Sequence, residues 1–159
     1  MREILSDLVA EQQALDQFLQ RINERQWKLP TSAPGWSIKD TVSHLAYAER
    51  FAARVLAEGK SVITKAKIAD IDAWTALGVA EGREMRYQQV IEWWRNSRAD
   101  VVDALSRMEG TDRVPWIAGE MSARAFGTLR LMETWAHGLD IKDAMEDLLT
   151  YDEEEEDPT

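Results

Sequence analysis

His44 and His137 are the only imidazoles in a chain of 159 residues that contains no cysteine. Glu133 precedes His137 by four positions, one helical turn, so on a helix the carboxylate and the imidazole share a face. Following that face by threes and fours gives Phe126, Arg130, Glu133, His137 and Asp140, a row that begins apolar and then turns polar groups inward. His44 stands beside an apolar stripe of its own, in line with Ala48, Phe51 and Val55. A carboxylate and two imidazoles turned into a core are costly unless they are paired, hydrogen-bonded or bound to a cation. One divalent ion satisfies all three: Glu133 and His137 from one helix and His44 from another make a two-histidine, one-carboxylate set with an open position. Zinc is the first expectation, with nickel, iron or manganese as alternatives. An open position of this kind binds water or thiolate and lowers its pKa, which makes a site reactive rather than structural. The competing reading is plainer: a surface bond between Glu133 and His137, and a structural His44.

The elements expected to position these groups are four long helices, in an all-α four-helix bundle over residues 1–149. In the first, from Arg2 to about Gln26, Leu5, Leu8, Leu15, Leu19 and Ile22 recur at helical spacing. Two prolines and a glycine between Trp27 and Trp36 then break the pattern. Ser37 with Asp40 three residues on resembles a capping box, which predicts a second helix over Ile38 to Ala57. Gly59 to about Gly82 reads as a structured crossover, with a β-branched piece at Ser61–Thr64 and a short helix around Ile71 to Leu77. It is long enough to alter simple up-down connectivity. A third helix is expected from about Glu81 to Met108, stopped by Gly110. A loop follows over Thr111 to Met121, and a fourth helix, capped by Ser122, reaches about Leu149 with Phe126, Leu129, Trp135 and Leu139 as its apolar positions. Residues 150–159 read as an acidic, disordered tail.

Composition narrows the function. The formal charge is −10, from 19 basic and 29 acidic residues, and six of the acids lie between Asp152 and Asp157. An acidic surface without a basic stripe argues against nucleic acid, whose binding depends on lysine and arginine displacing counterions. No stretch has the uncharged apolar length of a signal peptide or membrane span, so the expected location is cytoplasmic, with no membrane partner. There is no glycine-rich phosphate loop. Without cysteine there is no disulfide, no thiolate ligand and no cysteine nucleophile, so thiol chemistry requires a thiol from outside. With both histidines used as ligands, none is left as the base of a Ser-His-Asp arrangement.

Other candidates carry weaker signals. Asp140 either orients the His137 ring or faces solvent. Asp40 is a helix cap before it is anything else. Arg98 and Arg130 fall on inward stripes, where they either meet a substrate carboxylate or snorkel at the core edge. The tryptophans, Trp94 and Trp135 included, read mainly as packing, while Trp36 and Trp116 sit on loops that could rim a pocket.

Two stretches carry a family resemblance. Pro34-Gly-Trp-Ser-Ile-Lys-Asp-Thr-Val-Ser-His44-Leu resembles the first metal-bearing segment of DinB-like proteins, in particular the N-terminal domain of mycothiol-dependent maleylpyruvate isomerase. Met121-Ser-Ala-Arg-Ala-Phe and Arg130-Leu-Met-Glu-Thr-Trp-Ala-His137-Gly-Leu-Asp140 resemble that group's second. The resemblance extends to about Asp147 and implies a DinB-like bundle with a metal on His44, Glu133 and His137. It also implies activation of a low-molecular-weight thiol, such as mycothiol, for isomerisation or S-transfer on a small electrophilic substrate. The isomerase has a further C-terminal domain that contributes to substrate binding, whereas an acidic tail follows the fourth helix here, so the class of chemistry is expected to carry over ahead of isomerisation itself. The alternatives are a non-catalytic metal- or ligand-binding bundle, with a homodimer as a further expectation, and a helical interaction protein whose three polar residues form a network without metal.

Overall fold

The computed structural model describes the backbone of residues 1–155 and the side chains of residues 1–146. It contains six helices and one small hairpin: α1 (Arg2–Arg21), α2 (Ile38–Glu58), α3 (Ser61–Ala66), α4 (Ile71–Arg83), α5 (Tyr87–Ser106), β1 (Arg113–Val114), β2 (Met121–Ser122) and α6 (Ala123–Glu155). The long helices α1, α2, α5 and α6 form a four-helix bundle, and α4 lies against α2 as a fifth rod. The helix of the crossover is thus longer than expected, and the third bundle helix starts at Tyr87 rather than near Glu81. The expected β-branched piece at 61–64 is helical. Within the expected loop, Arg113 pairs with Ser122 and Val114 with Met121. The backbone of α6 continues past Leu149 to Glu155, and the last four residues of the acidic tail lie outside the described residues.

Helix starts follow side-chain chemistry. The Asp40 amide donates to Ser37 Oγ at 3.1 Å and the Ser37 amide donates to Asp40 Oδ2 at 3.0 Å, a complete capping box at the head of α2. The Asp72 amide donates to Asp70 Oδ1 at the head of α4, and the Ala125 amide donates to Ser122 Oγ at the head of α6. The first helix ends at Arg21, five residues early. Asn23 and Gln26 exchange two side-chain-to-backbone bonds of 2.9 Å and start a separate 3₁₀ turn over Gln26–Lys28, so a competing start signal outranks the apolar period.

One part of the core joins Leu15, Leu19, Val42, Trp94 and Ile141 from the four long helices with Trp27 from the 3₁₀ turn. A second, around Val101, Leu105, Val114 and Phe126, seats the hairpin. A third, with Ala48, Phe51, Val55, Val62 and Trp74, joins α2 to the crossover. The approach of α4 to α2 depends on glycine: a Cβ at Gly78 would collide with the Tyr47 side chain, and one at Gly82 with Ser43. Trp94 packs as expected.

Arg98 lies far from any substrate role. Its guanidinium pairs with Asp16 at 2.8 Å, donates to the Gln12 carbonyl at 3.0 Å and stacks over Trp94, tying α5 to α1. Arg95 grips the same carboxylate bidentately at 2.9 and 2.8 Å. Burial by itself pushes the Asp16 carboxyl up, but the bonds from Arg95 and Gln20 and the charges of Arg98 and Arg95 more than reverse this and bring it down to about 2. An unfolded chain protonates Asp16 near 3.8, while the folded one resists until about 2. Stability from this cluster, about 2 kcal/mol, is therefore full above pH ~4 and lost as pH falls through about 2. Urea unfolding of wild type and Asp16→Asn between pH ~2 and ~6 should show a gap that closes toward the acid end; a gap constant with pH would contradict the linkage.

Candidate metal centre

His44 sits one and a half turns into α2 and is buried, 5% exposed. Glu133 and His137 project from adjacent turns of α6, and the ligand atoms of all three lie within 4.8 Å of one another. The His44 and His137 rings meet edge to face, 4.8 Å between centroids. His137 Nε2 and Glu133 Oε2 share a hydrogen bond of 3.1 Å. The i,i+4 bond of the plainer reading is thus present, and the His44 ring joins the pair from α2. Trp36, on the loop before α2, covers the other side of the His44 ring at 5.2 Å.

The electrostatics prepare the group for a cation. Burial first, then the His137 and Arg130 charges, push the His44 pKa down to about 4 against the pull of Glu133, so its imidazole is neutral near neutrality with a lone pair to give. The bond from His137, helped by Arg130, holds the Glu133 carboxyl below the usual range despite burial, so it is ionised. His44 Nδ1 is shut off from solvent and has no hydrogen-bond partner. A buried ring nitrogen left so costs about 1–3 kcal/mol. Two imidazoles and a carboxylate whose ligand atoms lie within 4.8 Å of one another, with a buried ring nitrogen of His44 left without a partner, form a donor set that fits a divalent metal ion.

The centre opens into a cavity of about 240 Å³ whose lining includes His44, Glu133, Arg130, Trp74, Trp116 and Leu129. The loop between β1 and β2 brings Trp116 and Ile117 over it, turning at Gly119 with φ +123°, where glycine avoids the strain a side chain would bring. Trp116 therefore rims the pocket as its loop position suggested, held edge-on by Phe51 and Phe126 at 5.8 and 5.0 Å.

Arg130 is the second sequence candidate that reaches the site. It is 3% exposed, lies over the Trp116 ring and approaches fully buried Glu49 at 3.4 Å. Glu49 was not foreseen. It lies four residues after Leu45 and three before Ala52, inside the apolar stripe of α2, and that placement was the available signal. Burial pushes its carboxyl up, and the Arg130 charge offsets this in part. Asp140 takes the solvent-side alternative: it accepts a bond from Ser32 Oγ at 3.1 Å and makes none to His137. Asp40 caps α2 and also pairs with Arg83. Trp135 and Leu139, expected to pack, are 56% and 42% exposed, because α6 turns its polar ligand row, not these residues, toward α2.

Fold and site together define a helical bundle with a candidate two-histidine, one-carboxylate metal centre at a small cavity. The chain belongs to the mycothiol maleylpyruvate isomerase N-terminal domain family, whose sequence profile matches residues 8–142. An uncharacterized protein of Mycobacterium tuberculosis, found in strains CDC 1551 / Oshkosh and H37Rv, is 31% identical over 143 residues, covering 89% of this chain and 56% of its own. The chain thus spans little more than half the length of these relatives. The crystal structures of the mycothiol-dependent maleylpyruvate isomerase and of a histidine-to-alanine mutant of it superpose with a TM-score of 0.72 at 15% identity, over 88% of this chain and 60% of theirs. That likeness establishes the DinB-like fold. No helix among the described residues is long and apolar enough to cross a membrane.

Proposed function

We propose that the protein holds one divalent metal ion, zinc first among the candidates, on His44, Glu133 and His137, and uses it with a low-molecular-weight thiol of the mycothiol kind, or with water, on a small electrophile by isomerisation or S-transfer. The convergence of those three side chains, with His44 and Glu133 lining a cavity, is the observation that carries the reading. A divalent ion held there supplies Lewis-acid activation of a thiol or water. The chain's own residues do the rest. His44 offers a neutral imidazole, Glu133 an anionic oxygen, and the 3.1 Å between Glu133 Oε2 and His137 Nε2 already brings two donor atoms together from one helix. Trp74, Trp116 and Leu129 give the cavity an apolar lining, which strengthens charge interactions inside. Arg130 places a positive charge beside the cavity, favourable to an anionic thiolate or substrate.

Two further observations support the reading. A chain without cysteine must draw its sulfur nucleophile from outside, and family membership points to a thiol-dependent isomerase domain. At about 240 Å³ the cavity lies just under the usual range for ligand pockets, so it fits a small electrophile together with only the sulfur end of a thiol.

The test is thiol consumption with a halogenated aromatic as electrophile, in which a thioether forms as halide leaves. Zinc-loaded protein with mycothiol, bacillithiol or glutathione should exceed chelator-stripped protein by about 10²-fold or more, as expected for loss of Lewis-acid activation. Stoichiometric metal without turnover on any of the three would reject catalysis by this chain and leave an ion-binding bundle.

A further inference from the structure

Between positions 125 and 139, every exposed residue of α6 is apolar: Ala125, Met132, Trp135, Ala136 and Leu139. Met132 is 60% exposed, in keeping with Trp135 and Leu139. At ~1.5 Å per residue this strip is about 21 Å long. A soluble surface seldom leaves so continuous a run of large apolar groups uncovered. The strip is separate from the ligand row, which faces α2 from the adjoining side of the helix.

The strip has two unlike halves. Its first half borders a shallow groove of about 510 Å³ lined by Met121, Ala125, Thr128, Leu129 and Met132. Its second half bears the protruding Trp135 and Leu139. Charge marks the two ends with opposite sign: exposed Arg124 before the strip and exposed Asp143 after it, neither in an ion pair among the described residues. A helix with a hollow and a positive charge at one end, and a knob and a negative charge at the other, complements a reversed copy of itself.

We propose that this face of α6 is a homodimer interface in which two copies pack α6 against α6 antiparallel, about a twofold axis passing midway between Met132 and Trp135. Under that operation Met132 faces the partner's Trp135 and Thr128 faces the partner's Leu139, so each groove receives the other copy's knobs. Arg124 comes opposite the partner's Asp143 at both ends. The contact is isologous and closes at two subunits. An apolar centre with aromatic and methionine anchors and a charged rim is the composition expected of such an interface.

Sedimentation velocity of the full chain should show a species of twice 18.2 kDa. Trp135→Glu should raise the dissociation constant at least about tenfold, as for loss of an interface anchor. Arg124→Glu and Asp143→Arg should each weaken the dimer, and the two together should restore it, an outcome that damage to folding cannot produce. The absence of cysteine allows a direct check of geometry. Met132→Cys should cross-link into a covalent dimer under mild oxidation, whereas Leu77→Cys, exposed on α4, should not. A wild type that stays monomeric at ~100 μM, as it would if a different protein or a further domain covered the strip, overturns the proposal. So does a dimer indifferent to Trp135→Glu, or equal cross-linking at positions 132 and 77.

Discussion

His44→Ala is expected to abolish the thermal response of the protein to zinc. At a free metal concentration ~100 times the dissociation constant, binding to the native state adds about 2.7 kcal/mol of stability. For a chain of this size that is a rise in Tm of roughly 5–10 °C. With the α2 ligand gone, Glu133 and His137 are left as an i,i+4 pair on one helix, short of the three protein ligands that an open catalytic site uses. Scanning calorimetry with and without zinc, beside metal analysis of protein purified without a histidine tag, reads the effect. Asp140→Ala serves as the control, since that carboxylate bonds Ser32 and not His137. If His44→Ala keeps stoichiometric metal and the full Tm rise, the three-residue centre is not where the ion binds.

Arg130→Met is expected to cost about 3–5 kcal/mol in metal-free protein, the usual penalty for stranding one member of a buried ion pair. Glu49 is wholly enclosed, neither of its oxygens has a hydrogen-bond partner, and the guanidinium at 3.4 Å is the charge that compensates it. The physical account makes a sharper demand of the double variant. Arg130→Met with Glu49→Leu removes both charges and should recover most of the loss, because desolvation then has nothing left to penalise. Urea unfolding of the four proteins gives the coupling directly. Additive losses in the double variant would mean that the two side chains act through packing alone.

The convergence of His44, Glu133 and His137 was legible because its signals are local or arithmetical. An i,i+4 Glu133/His137 pair shows itself on a helical wheel, and with only two histidines in the chain the third ligand had one natural source. The capping box at Ser37 was equally readable, since both of its bonds span three residues. What escaped depended on competition or on tertiary context. The end of α1 carries no proline or glycine to mark it, and Gly82 in the last turn of α4 packs on Ser43 instead of stopping the helix; the next start is set in each case by a short polar exchange, Asn23 with Gln26 and Arg86 with Gln89, which an apolar period overrides on paper. Trp135 and Leu139 have core spacing, yet α6 is apolar on two faces and only one of them meets the bundle. The opposite fates of Arg98 and Arg130 turn on which acid lies across the gap, Asp16 on α1 or Glu49 on α2, and no spacing along one helix reveals that.

The two glycines of α4 bear on what the cavity admits. Trp74, Gly78 and Gly82 follow one another at four-residue steps, so the residue that walls the cavity and the two that let α4 settle onto α2 share a face. The width of the cavity is therefore set by how closely two rods lie together. A roomier cavity would come from wedging those rods apart at position 78 or 82, with His44, Glu133 and His137 left unchanged.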